Sequence, residues 1–277
     1  LPTEALYIFT RQCPYRNQER QMGRVPSTVT KRLINTVPKF RKILQTARER
    51  DVNESDTVTI VTDMLEEVFG FDKYSEITRE YSIQGTYCDL AIKTAKKVEY
   101  LIEVKAIGLN LVDKHLKQAV NYASREGIKW VVLTNGIAWE IHRVNLEERV
   151  HNERLFYFDF LELNPRQKDH QDLLFLLCKR GIQKDLIDDL YEYKQSVNRH
   201  TIGALLLTDT ITGVVRRELR KLKPGIKVTH EEIYELIKSD VLKREVIDSE
   251  AGIEANIKVV RFRKKQEREK AKAQANT

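Results

Sequence analysis

Apolar residues recur along this chain with a period that changes from region to region. Between residues 27 and 50 they fall at Val29, Leu33, Val37, Phe40, Leu44 and Ala47, a spacing of three to four that predicts an amphipathic helix. Pro38 lies inside it and, lacking an amide hydrogen, is expected to kink or split it. A second helix is predicted over residues 54–69, with Val58, Val61, Met64, Leu65 and Val68 on one face and Gly70 as its stop. Residues 77–83, 87–93 and 98–105 are short and rich in β-branched and aromatic side chains, which predicts three consecutive antiparallel strands. A helix follows over residues 113–126, with Leu116, Ala119, Val120 and Ala123 on one stripe. The run WVVLT, residues 130–134, then suits a strand buried on both faces.

A helix between the third and fourth strands makes their natural relation parallel, through a right-handed crossover. Asn135 and Gly136 supply turn chemistry for a hairpin into the next strand, and LFYFDFLEL suggests one more. The order helix, three strands, helix, strand describes an α/β domain with a mixed sheet. Beyond residue 165 the pattern is helical, over residues 171–179, 184–197, 202–222 and 231–246, with Thr229 and Glu232 spaced as a capping box. The expected organisation is a basic helical arm (1–50), an α/β core (51–162), a helical subdomain (165–250) and a basic tail (251–277), the tail helical only when bound or packed.

Charge sharpens this division. Residues 1–50 hold 11 Lys and Arg against 3 Asp and Glu, and residues 258–277 hold 8 against 2, so the middle carries 29 against 36. Basic ends around an acidic body suit a chain whose ends meet a polyanion while its body holds a cation, although solvated charge runs fit the same counts. Cys13, Cys88 and Cys178 are odd in number and far apart, so free thiols are expected rather than a disulfide framework or a zinc site. The six histidines show no zinc-binding spacing, and neither GxSxG nor GxGxxG occurs. No apolar run approaches the roughly 20 residues of a membrane span, and the N-terminus lacks the order of a signal peptide. The expectation is a cytoplasmic protein without a membrane partner.

Candidate chemistry lies where charges interrupt strands that otherwise suit burial. Asp89 stands in YCDLAI, and Glu103 and Lys105 in YLIEVKAIG. Residues two apart share a strand face, so Glu103 and Lys105 point the same way, and Asp89 on the neighbouring strand can join them. Two carboxylates and an ammonium suit metal-assisted phosphodiester hydrolysis: the acids hold Mg²⁺, and the lysine steadies developing negative charge. By itself such spacing more often marks a cross-strand ion pair on a solvated sheet face. Glu54 falls near the centre of its helix's apolar stripe, as a further metal or water ligand or as a carboxylate favoured by the helix N-terminus. Gln118 and Tyr122, four apart, share a strip with His115 on the helix after Lys105, where they could contact phosphate or be ordinary surface.

The ordered segments NESDT, REYSIQGTYCDLAI, YLIEVKAIGL, HLKQAVNYA and WVVLTNGIAWEI resemble the PD-(D/E)xK nuclease superfamily, and specifically the nuclease domain at the N-terminus of type I restriction enzyme R subunits. The resemblance covers about residues 50–145 and implies a restriction-endonuclease-like core. It implies Asp89 and Glu103 as metal ligands assisted by the Val104 carbonyl, Lys105 as catalytic cation, Glu54 as helix acid, and Gln118 with Tyr122 as a QxxxY pair. The implied activity is Mg²⁺-dependent DNA cleavage in restriction or defence, with Mn²⁺ as a substitute ion. Cys88 stands where the family usually has proline, and no GxxxxGK[ST] phosphate loop occurs, so a relative without its own motor is expected. DNA is the implied partner, with room for a homodimer or for separate motor or specificity subunits. Rival readings are a noncatalytic DNA-binding or assembly protein on the same fold, and a nuclease acting on RNA or branched DNA.

Overall fold

The computed structural model describes residues 24–83, 86–95, 97–145 and 151–275. The first 23 residues of the basic arm, with Cys13, residues 84–85, 96 and 146–150, and the last two residues of the tail lie outside them. The chain divides into two compact units, Leu1–Leu190 and Tyr191–Thr277.

In the first unit, α1 (Ser27–Glu49) buries the six apolar residues its period predicts. Pro38 does not split it. The proline lies on the exposed side, where water can take over the carbonyl that loses its donor. Rather than standing off as an arm, α1 is fastened to the end of α2 (Glu54–Glu67). Arg32 donates from Nε to the Val68 carbonyl at 2.9 Å and from Nη2 to that of Phe69 at 3.2 Å. Gly70, at φ +82°, closes α2 against this guanidinium, where a Cβ would collide with it. At the other end, the Asn53 side chain caps α2 by accepting the Asp56 amide at 2.9 Å.

The sheet contains β1 (Ile77–Ile83), β2 (Thr86–Thr94), β3 (Lys97–Val104), β4 (Trp130–Thr134), β5 (Ala138–Asn145) and β6 (His151–Asp159), in that spatial order. Every neighbouring pair is antiparallel except β3 and β4, which run parallel from Tyr100↔Trp130 to Val104↔Thr134. The crossover between them consists of a 3-10 turn (Asp113–His115) and α3 (Leu116–Arg125). Leu116, Ala119, Val120 and Ala123 of α3 pack with Ala91, Leu101, Val131 and Leu133 of the sheet. Elsewhere in the core, Phe69, from the end of α2, meets Trp139 at 5.3 Å, and Trp139 stacks on Phe158 at 5.9 Å. This is a restriction-endonuclease-like α/β core in the expected order αβββαβ.

After a 3-10 turn (Phe160–Glu162), the unit continues through α4 (Lys168–Leu177) and α5 (Lys179–Ile182). Leu173 to Leu177 are all buried, so these helices join the first unit instead of a subdomain beginning at 165. The unit boundary falls inside α6 (Leu186–Ser196).

The second unit contains α7 (Arg199–Leu206), α8 (Asp209–Leu222), α9 (His230–Leu236), a π turn (Ile237–Val241), α10 (Arg244–Ile247) and α11 (Glu250–Ala275). The single helix expected over 202–222 is two, because Thr208 takes an extended conformation (ψ 149°) as N-cap of α8. Thr229 and Glu232 form the expected capping box. The basic tail is helical and is anchored through Ala255 and Val259 against Ala204 of α7. Among the described residues, no helix is long and apolar enough to cross a membrane.

Candidate functional site

The register of the first three strands lines up a row of acids. Leu90 pairs with Ile102, so one step along, Asp89 lies across from Glu103. Glu80 sits between the pairs Arg79↔Leu90 and Tyr81↔Cys88, and so faces Asp89 from β1. Like charges directly opposite one another destabilise a sheet, so a row of three carboxylates carries a cost that packing does not explain. Glu80 also adopts φ +47°, a left-handed conformation that costs a glutamate roughly 1 kcal/mol or more.

Lys105 follows β3 directly, its amide extending the ladder to the Thr134 carbonyl at 2.8 Å. Its Nζ lies 2.8 Å from Glu103 Oε1 and 3.4 Å from Glu54 Oε1. Glu54, the first residue of α2, therefore reaches the cluster from outside the sheet. Asp89 is oriented by the Val104 amide, which donates to its Oδ2 at 2.7 Å. Val104, expected to lend its carbonyl, thus meets Asp89 through its N–H. The loop after Lys105 is held by Asn135, whose Nδ2 donates to the carbonyls of Ile107 at 3.3 Å and Leu109 at 2.9 Å. The turn residue next to it, Gly136, sits at φ +85°.

Burial and mutual repulsion set the charges. Glu103 is 7% exposed, and burial, then the Asp89 charge, push its carboxyl up to about 7 against the pull of Lys105. Burial also raises Asp89, partly offset by the Val104 amide and Lys105, with Glu54 and Glu80 adding repulsion. Lys105 is raised despite its burial, through its hydrogen bond to Glu103 and the charges of Glu103, Asp89 and Glu54. One ammonium is thus set among several acids, an excess of negative charge that a divalent cation would relieve.

Gln118 and Tyr122 do pair, Nε2 to Oη at 2.7 Å, and Gln118 also donates to the Tyr87 carbonyl of β2 at 3.1 Å. Tyr122 is buried within the α3–sheet core. Among the described residues, the hydrogen bonds of this pair run to each other and to β2, and the pair does not join the charged cluster. His115 feels that cluster: burial, then the Lys105 charge, lower its pKa. Cys88 keeps its proton, burial and then the charges of Glu103 and Asp89 raising it to about 12. Its thiol lies 3.3 Å from the Ile102 carbonyl. Cys178 is likewise free and buried.

Glu80 is the residue that sequence reasoning missed. Its place comes from the antiparallel register, in which Tyr81 pairs with Cys88 and Arg79 with Leu90, so that Glu80 falls opposite Asp89.

Among the described residues, no three His, Cys, Asp or Glu side chains gather closely enough to enclose a metal ion. Mg²⁺ is held through one or two carboxylates and keeps several waters, so the all-oxygen pair Asp89 and Glu103 fits it in number and kind.

Residues 60–154 match the family described as Type I restriction enzyme R protein N terminus (HSDR_N). The matched span holds Asp89, Glu103, Lys105, Gln118 and Tyr122, and Glu54 precedes it. No curated protein and no solved structure significantly matches the chain. The resemblance to the N-terminal nuclease domain of restriction R proteins therefore stands on this core, and the role it indicates is restriction-related and nuclease in type.

Proposed function

We propose that this chain, with a core resembling the N-terminal domain of restriction R proteins, is a Mg²⁺-dependent endonuclease that hydrolyses DNA phosphodiester bonds in restriction or defence. The observation that carries this reading is the convergence of Asp89, Glu103, Glu54 and Lys105. Three acids and one lysine are drawn from two adjacent strands and a helix start, at electrostatic cost. A structural ion pair needs one acid for one base, and the additional carboxylates support a reading in which a cation completes the site.

Asp89 and Glu103 would hold Mg²⁺, which takes oxygen ligands; Mn²⁺ would serve in its place. When bound, the ion polarises the phosphoryl group and lowers the pKa of a bound water toward neutrality. Asp89 arrives preset, because the Val104 amide fixes one of its oxygens. Glu103 is drawn toward its ionised form by the Lys105 ammonium. Lys105, protonated and tethered between Glu103 and Glu54, is placed to stabilise negative charge developing on a phosphoryl oxygen. Glu54 acts by holding that lysine. Gln118 and Tyr122 fasten α3 to β2 behind the site. Base identity does not enter this chemistry, so sequence choice would come from other parts of the chain or from partner subunits.

The test is incubation of the purified chain with plasmid, linear duplex, single-stranded DNA and RNA, each with Mg²⁺, Mn²⁺ or EDTA. Cleavage of duplex DNA with either ion, abolished by EDTA and by Lys105→Ala, is expected. Binding of DNA without cleavage under every condition would replace this reading with a DNA-binding protein on a nuclease fold.

A further inference from the structure

The second unit carries an apolar face that its own packing does not use. Along α11, Ala255 and Val259 are buried against Ala204, whereas Ile253, Ile257 and Val260 are 54%, 44% and 42% exposed. These three are spaced i, i+4, i+7 and form a second apolar stripe on another face of the helix from the buried pair. They line an open groove of about 650 Å³ together with Leu207, Tyr234 and Ile247.

Several polar groups around this groove are engaged within the unit, and Asp209, Asp248 and Asn256 also line it. His200 Nδ1 lies 2.9 Å from the Val246 carbonyl, Arg263 donates to the Thr210 hydroxyl at 2.7 Å, and the Lys238 ammonium sits 5.7 Å from the Tyr234 ring centroid. What remains open is apolar side chain at helical spacing, the complement of another helix's apolar face.

Charge selects among helices. The unit holds 19 Lys and Arg against 13 Asp and Glu. Where α11 leaves the groove, Arg261, Lys264, Lys265 and Arg268 follow within two turns. A second copy of this unit would bring the same positive excess against itself, which opposes self-association. Nucleic acid would meet the cations but leave the isoleucines uncovered.

We propose that this groove docks an amphipathic helix of a separate protein, apolar at i, i+4 and i+7 and acidic on its flanks. The apolar stripe supplies affinity and the basic continuation of α11 sets partner and orientation. The site makes no use of the acids on the sheet, so docking and cleavage are separable.

The test uses the full chain and a fluorescein-labelled helical peptide of about five turns, with leucines at the three anchor positions and glutamates around them. Anisotropy titration should give micromolar binding. The double variant Ile253→Gln, Ile257→Gln, which alters only exposed side chains, should bind about tenfold or more weakly, as should a peptide with lysine for each glutamate. An absence of binding, equal binding by the double variant, or equal binding of the lysine peptide would overturn the proposal. Two further outcomes would also overturn it. A wild-type dimer that sedimentation shows to be lost in the double variant would assign the face to a second copy. Duplex DNA affinity lost in the same variant would assign it to nucleic acid.

Discussion

Two charged clusters occupy the same sheet with opposite electrostatics. On β5 and β6, Glu140 lies 3.1 Å from His142 Nε2 and 3.0 Å from Arg154 Nη1, and Asn152 reaches the other ring nitrogen of His142 at 3.1 Å. Nearby, Arg143 and Asp188 pair at 2.7 Å. Burial pushes the Glu140 carboxyl up, but the His142 hydrogen bond and the Arg154 charge outweigh it, and the group is held below its ordinary value. On β2 and β3, burial combines with neighbouring acids and lifts Glu103 to about 7. Each cluster contains a largely buried glutamate on a β-strand. In the first the carboxylate is balanced by neighbouring cations; in the second it is short of positive charge, which the proposed cation would supply.

The largest effect that could break this contrast is on cleavage. Asp89→Ala, Glu103→Ala and Lys105→Ala should each lower the rate by about 10³-fold or more, with thermal midpoints of the two carboxylate variants equal to or above the parent. Plasmid nicking and thermal denaturation together check this. A carboxylate variant that melts well below the parent would place the row among structural ion pairs.

Next comes pH. Glu103 binds its proton more tightly folded than unfolded, so its part in stability is full below about pH 4.5 and is lost as pH rises through about 7. The loss is at most about 3 kcal/mol. Glu140 has the opposite slope, its contribution being present above its unfolded value and lost in acid. Denaturant titrations of the metal-free chain between pH 4 and 8 should show the Glu103 slope, and Glu103→Gln should flatten it. The Mg²⁺-induced rise in melting temperature should be larger at pH 8 than at pH 5.5; a rise independent of pH would separate the ion from Glu103.

Glu140→Ala should cost about 2 kcal/mol of stability, since it takes a hydrogen-bond partner from the buried His142 ring, with cleavage per folded molecule unchanged. Urea unfolding set beside a single-turnover assay tests both halves. The smallest effect is expected at Glu80. Removing one charge opposite Asp89 in Glu80→Gln should raise metal-free stability by about 0.3 kcal/mol, measured as a shift in denaturation midpoint at unchanged slope; a fall would mean that Glu80 holds the strand rather than straining it.

Much of this contrast is legible in the amino-acid sequence. The strand bounds 77–83 and 130–134 and the six buried residues of α1 follow from local period alone. Asp89, Glu103 and Lys105 stand out as charges in segments that otherwise suit burial. Tyr122 gives no such sign of its burial, because its place beside the apolar stripe of α3 leaves its environment to the width of the sheet beneath it. Thr208 is hidden in a run that reads as continuous helix, although Thr followed by Asp is good helix-start chemistry.

The sequence by itself determined the order of elements, the parallel step between β3 and β4, and that Asp89, Glu103 and Lys105 are charges set in segments suited to burial, because apolar period and misplaced charge are properties of a few neighbouring residues. Tertiary structure alone decided that Glu80 faces Asp89, that Glu54 reaches Lys105 from another element, that α4 and α5 join the core, and that α11 leaves one apolar stripe uncovered. Those facts depend on register and packing between segments far apart in the chain, and residue spacing carries no measure of the distance between them once folded.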